Sequence, residues 1–101
     1  MTAYSFRLYV TGESTLSREA EANLRALCKN RIVSHYEIEV VDVVERPDVA
    51  EEDQIIATPT VLRIAPLPRL RVIGDLSDQE RAALAFGLPD PDESRQEETL
   101  G

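Results

Sequence analysis

Two β-rich runs, Thr60 to Ala65 and Leu70 to Ile73, are joined by only Pro66-Leu67-Pro68-Arg69. A link this short cannot carry a crossover, so the two strands lie antiparallel. Nearer the N-terminus the opposite holds. Phe6, Leu8 and Val10 alternate with Arg7 and Tyr9, the period-two signature of a strand with one buried face. Tyr36, Ile38 and Val40 alternate with Glu37 and Glu39 in the same way, which predicts a second strand over Tyr36 to Val41. Between these two, Leu16, Ala20, Leu24, Leu27 and Cys28 recur three or four residues apart. That stripe predicts a helix from about Ser17 to Arg31, and a helical crossover makes the first two strands parallel.

The remaining elements are short. Asp48 and Glu51 fit a capping pattern just after Pro47, predicting a helix over Asp48 to Gln54. Ser77 and Glu80 form a second capping box, and Leu76, Ala83 and Leu84 give a helix from about Asp78 to Phe86. Gly87 supplies its stop and Pro89 prevents continuation. The order is βαβαββα, an α/β chain that resembles the thioredoxin topology. By that resemblance the second strand lies at one edge of the sheet and Leu70 to Ile73 at the other. Thr58-Pro59 stands before the third strand, where thioredoxin-like folds place a cis proline.

A chain of 101 residues with 43% hydrophobic content makes one domain, read as residues 1–88. From Pro89 onward five acids (Asp90, Asp92, Glu93, Glu97, Glu98) face Arg95 alone, so residues 89–101 read as an acidic, disordered tail. Half of the net charge of −8 lies in that tail, and the body is still acidic. An acidic body argues against nucleic acid, which demands cationic neutralisation of phosphates. No basic-apolar leader is present, and no apolar run approaches the ~20 residues that span a bilayer, so a cytoplasmic location away from the membrane is expected.

Catalytic chemistry is poorly supplied. Cys28 stands alone on the apolar helix stripe and reads as a small core residue, which excludes an intramolecular disulfide and a cysteine metal cluster. Thiol exchange needs a second, resolving thiol. Where thioredoxins carry Cys-x-x-Cys, this chain has Gly12-Glu13-Ser14-Thr15-Leu16-Ser17. His35, the only histidine, has no carboxylate partner evident from the sequence. Glu51-Glu52-Asp53 reads as a solvated charge run, since consecutive acids on a helix diverge instead of converging on a metal. Gly74-Asp75 lacks the glycine-lysine pattern of a phosphate loop. The expectation is no enzyme, no cofactor and no metal. A thioredoxin-like redox or transferase enzyme is the alternative.

Five segments in register carry a more specific signal. They are Leu8-Tyr9-Val10-Thr11-Gly12, Val40-Val41-Asp42-Val43, the run from Ala50 to Thr60, Pro66-Leu67-Pro68, and Ile73-Gly74-Asp75-Leu76-Ser77-Asp78. From Tyr4 to Arg81 the chain resembles the KaiB family, the small non-enzymatic component of bacterial circadian clocks. The resemblance implies binding to KaiC, a hexameric ATPase, with KaiA or a thioredoxin-like sensor domain of a histidine kinase as further partners. It also implies fold switching between a tetramer with a rearranged C-terminal half and a thioredoxin-like monomer. A detached KaiC-binding sensor domain is a second alternative.

The partner-binding candidates are Ile38 and Val40 on the second strand, an edge whose unpaired main chain can accept a strand from another protein, and, by the resemblance, Arg63, Arg71, Gly74 and Asp75 in the C-terminal half. The fold-switch candidates are Pro59, Pro66, Pro68, Ala85 and Gly87. Glu19, Glu39 and Gln54 replace basic residues of the cyanobacterial pattern, which points to a simplified system without KaiA. Ala85-Phe86-Gly87 replaces its Gly-x-Asp, which favours the last helix and hence the thioredoxin-like form.

Overall fold

The computed structural model describes residues 3–90. Its order is β1 (Tyr4–Val10), α1 (Thr15–Arg31), β2 (Tyr36–Asp42), α2 (Pro47–Glu52), β3 (Thr60–Ala65), β4 (Leu70–Ile73) and α3 (Gln79–Phe86). This is the expected βαβαββα. The sheet runs β2-β1-β3-β4, with β1 and β2 parallel and the other pairs antiparallel. β1 and β3 are therefore central, and β2 and β4 are edges. Of the acidic tail, only Pro89 and Asp90 fall within the described residues.

Each face of the sheet follows from the period of two. Phe6, Leu8 and Val10 point to the side covered by α1 and α3, where they pack with Leu24, Leu27, Cys28, Val61 and Phe86. Phe6 and Phe86 meet edge to face, with ring centroids 5.4 Å apart at 77°. The intervening Tyr9 points the other way, into a smaller cluster with Val41, Ala50 and Leu62 beneath α2.

Helix termini depart from expectation in ways that local hydrogen bonding explains. Ser14 caps α1, its side chain accepting from Ser17 N at 3.2 Å, so the helix starts at Thr15 and not at Ser17. Ser17 then takes the inward position, and Leu16 is 55% exposed, off the buried stripe. Arg46 occupies the α2 cap without a side-chain bond, Pro47 opens the helix, and Asp48 sits in the first turn. The Asp48–Glu51 box does not form. Asp78, one residue past the expected Ser77, caps α3 by accepting from Arg81 N at 3.1 Å. Its inward positions are Ala82, Ala83 and Phe86, which leaves Leu84 82% exposed. Gly87 ends α3 in the left-handed region (φ 66°), and Leu88 N donates to Ala83 O at 2.9 Å. The Thr58–Pro59, Ala65–Pro66 and Leu67–Pro68 bonds are cis. Among the described residues no helix is long and apolar enough to cross a membrane.

Candidate functional site

On the α2 side of the sheet, α2 is too short to cover the strands, and charged side chains complete the layer. Asp53, directly after α2, turns its side chain inward to 9% exposure. Arg7 Nη1 donates to its Oδ2 at 2.9 Å, and the Tyr9 hydroxyl donates to the same oxygen. Arg69 Nη2 lies 3.5 Å from Oδ1, and Arg7 Nε donates to Glu39 Oε1 at 2.8 Å. Burial pushes the Asp53 carboxyl up, but the hydrogen bonds from Tyr9 and Arg7 and the charge of Arg69 outweigh it and hold the group below its usual range. The Glu39 hydrogen bond raises the Arg7 pKa, and burial followed by the bond to Asp53 raises that of Tyr9. The reading of residues 51–53 as a solvated run holds for the exposed Glu51 and Glu52 and fails for Asp53.

Arg71 joins this layer from β4. Its guanidinium donates to Asp53 O at 2.5 Å and Gln54 O at 2.9 Å, serving carbonyls that the end of α2 leaves without helix partners. Gln54 itself stands in the left-handed region at φ 55°. Arg71 remains exposed, as expected for a contact residue.

Arg63 does not behave as an exposed cation. It is 6% exposed on the α1–α3 side, donating from Nη1 to Phe86 O at 2.6 Å and from Nη2 to Pro68 O at 2.9 Å. A Cβ on Gly87 would lie 3.4 Å from Nη1. In this fold the side chain has no reach to a partner. It draws together Pro68, Phe86 and Gly87, two of which were singled out as fold-switch positions. Of the others, Pro59 O accepts from Gly74 N at 2.9 Å, Ala85 lies exposed on α3, and Pro66 is half-buried at the β3–β4 turn. The Gly74-Asp75 turn is fastened to α1, since Asn23 Nδ2 donates to Asp75 O at 2.8 Å. Gly74 has φ 127°, which a side chain rarely adopts.

The strand candidates sit at the far edge. Ile38 is half-buried and Val40 is 40% exposed, both on the α1–α3 side, whereas Glu37 and Glu39 point to the α2 side. Two strands separate them from Arg71, roughly 14 Å at the usual strand spacing. Ile38 and Val40 thus lie at one edge of the sheet and Arg71 at the other, as the thioredoxin-like topology implies. His35, expected without a carboxylate, has Glu37 at 3.6 Å on the exposed β2 edge.

Cys28 is fully buried, and burial pushes its thiol up to about 12. Cys28→Ser is expected to keep the fold and all partner binding, losing about 1–2 kcal/mol for burying a hydroxyl. Denaturant titration and pull-down check this, and lost binding with an unchanged circular dichroism spectrum would refute the inert role.

Residues 7–88 match the model of the KaiB domain. The chain is 39% identical over 88 residues to the circadian clock protein KaiB3 of Synechocystis, covering 87% of this chain and 86% of that one. It is 44% identical over 85 residues to the circadian clock oscillator protein KaiB of Prochlorococcus marinus (strain MIT 9303), covering 84% and 71%. Among solved structures, the N-terminal domain of Synechococcus elongatus SasA superposes with a TM-score of 0.69 at 23% identity, over 83% of this chain and 81% of that one. The Drosophila thioredoxin Deadhead does so with a TM-score of 0.66 at 15% identity, over 84% and 79%. At these identities the two structures speak for the thioredoxin-like fold alone.

Proposed function

The chain belongs to the KaiB family of clock proteins, and from that premise we propose that it is a timing regulator acting by binding, not by catalysis. In its thioredoxin-like form it engages the ring of a KaiC-type hexameric ATPase and modulates the phosphorylation cycle or output of that ring. The observation that carries this reading is the family match over residues 7–88 on a chain whose C-terminal half is closed as β3–β4–α3. The position of a redox pair is held by Gly12 to Ser17, and the lone thiol is buried, so nothing specific favours the enzyme alternative.

The C-terminal half supplies the ATPase contact through Arg71 and the Gly74-Asp75 turn. The β2 edge, with Ile38 and Val40, serves a further partner such as KaiA or a sensor kinase where one is present. The thioredoxin-like form dominates over a rearranged tetramer. Ala85 inside α3 favours the helix by ~0.8–1 kcal/mol over glycine, and the left-handed Gly87 gives it a defined end.

Sedimentation of the purified chain, alone and with the cognate ATPase, tests the whole reading. Alone it is expected to run as a monomer, and with the hexamer to co-sediment. Arg71→Glu, checked for foldedness, is expected to weaken the complex by about tenfold or more, since a desolvated charge contact is lost. A stable tetramer with residues 85–88 in a strand by NMR sinks the fold bias. Failure to bind any KaiC-type ring sinks the partner.

A further inference from the structure

The outer side of β4 can be read group by group from its ladder with β3. Gly74 N donates to Pro59 O at 2.9 Å, which makes 59/74 a hydrogen-bonded pair. Antiparallel pairs alternate, so in the observed register 61/72 and 63/70 are hydrogen-bonded and 60/73 and 62/71 are not. The main-chain N–H and C=O of Arg71 and Ile73 therefore point away from β3, along an edge that pairs with no further strand among the described residues. Their side chains share the α2 side with Leu62 and Thr60. Ile73 is 56% exposed, a large apolar side chain at an open edge.

Charge then selects what fits. Arg71 is exposed and has no carboxylate within 4.0 Å among the described residues, while the carbonyls of Asp53 and Gln54 hold its guanidinium in place. A cleft of about 230 Å³ between the end of α2 and β4 is lined by Glu52, Gln54, Arg69 and Arg71. Arg69, half-exposed, reaches towards Asp53, whose carboxylate Arg7 and Tyr9 already engage. Glu52 is the acid along this cleft without a partner among the described residues. At the opposite edge, Glu37 and Glu39 present acids on the same side of the sheet. Like charges directly opposite across a strand pair are destabilising, so the β2 edge rejects an acidic strand that the β4 edge attracts.

We propose that the outer edge of β4 is a docking site for an extended acidic segment of a partner protein, added as a fifth strand. One acid lies beside Arg71, and an apolar residue two positions along, on the same side, covers Ile73. Main-chain bonds to Arg71 and Ile73 give affinity, and the two side chains give selectivity. The guanidinium is already ordered by its two carbonyls, so less conformational freedom is lost on binding. The proposal does not depend on the identity of the ATPase partner.

The probe is a blocked hexapeptide, Thr-Glu-Thr-Val-Thr-Glu, titrated into the ¹⁵N-labelled full chain, with Thr-Lys-Thr-Val-Thr-Lys as its control. The acidic peptide is expected to shift the Arg71 and Ile73 amides, to leave the β2 amides unmoved, and to bind about tenfold more tightly than the control. Ile73→Pro removes an outward N–H and no β3–β4 bond, and is expected to weaken binding about fivefold. Glu52→Gln, which removes the opposing acid, is expected to strengthen it about twofold. Shifts confined to β2, equal binding of both peptides, no shifts at millimolar peptide, or a folded Ile73→Pro variant that binds normally would each overturn the assignment.

Discussion

Asp53→Ala is expected to lower the unfolding free energy by about 3 kcal/mol, near the lower end of what breaking a buried charge pair from one side costs. The carboxylate is 9% exposed and Arg7 is 26% exposed, so solvent screens only part of what is lost. Removing the acid leaves the Tyr9 hydroxyl only its 3.3 Å contact to Val49 O, strands one branch of the Arg7 fork under α2, and loosens the layer that holds the α2 end against the sheet. For a domain of this size the change corresponds to a fall in Tm of about 12–24 °C. The pH profile separates this from a generic surface effect. The Asp53 carboxyl is held down in the folded state, so its stabilisation is fully present above its unfolded pKa near 4 and is lost as pH falls through the lower, folded value. Tyr9 is shifted up, so its contribution is present below its unfolded pKa near 10 and disappears as pH rises through the folded one. Thermal melts of the wild type and Asp53→Asn between acid and neutral pH check the first limb. The variant should lose stability at neutral pH and show a shallower fall on acidification. Identical profiles would mean that the carboxylate contributes nothing to folding.

The element order was legible because each decisive signal is local. Strand alternation, the stripe of α1 and the short proline-rich link are each read within a few residues, and the parallel β1–β2 and antiparallel β3–β4 pairs follow from them, whereas the order of strands in the sheet rests on the resemblance to the thioredoxin topology. Helix starts were legible to within two residues but the capping residues were not, since several side chains near each start can cap, and the structure uses Ser14 at α1, Asp78 at α3 and no side chain at α2. The Asp53 network was not legible, because its partners Arg7 and Tyr9 lie 46 and 44 residues away and nothing local marks one acid of three as the inward one. Arg63 did carry a usable signal. It interrupts the run Val61-Leu62-Arg63-Ile64 in a strand whose neighbours on both sides are strands, and a central strand buries both faces. An arginine at such a position has to find acceptors inside. Treating it as a surface cation overlooked that constraint.

Arg63→Ala is the second large expected effect, and it is directional within the molecule. The side chain satisfies two carbonyls, Phe86 O at the end of α3 and Pro68 O in the β3–β4 turn, and so joins the last helix to the hairpin. Losing it leaves each carbonyl unpaired at about 1–3 kcal/mol and opens a cavity under α3. Against this stands relief from holding a buried cation whose Nε–H has no acceptor among the described residues. The carbonyls and the cavity outweigh that relief, for a net loss of about 2–4 kcal/mol. The cation also sits at the negative end of the α3 dipole, so its charge is partly compensated where it lies. Arg63→Lys should recover only part of the loss, because one ammonium cannot reproduce a planar fork reaching two acceptors. Hydrogen exchange is the discriminating measurement. Protection is expected to fall first at Ala82 to Leu88, while α1 and the β1–β2 ladder keep theirs, since the Arg63 side-chain bonds reach only Phe86 and Pro68. The proposed contact surface on β4 belongs to the same hairpin, so affinity for the ATPase ring is expected to fall together with α3 protection. Uniform loss across the whole domain would make Arg63 an ordinary core residue, and full α3 protection in the alanine variant would show that the helix docks without it.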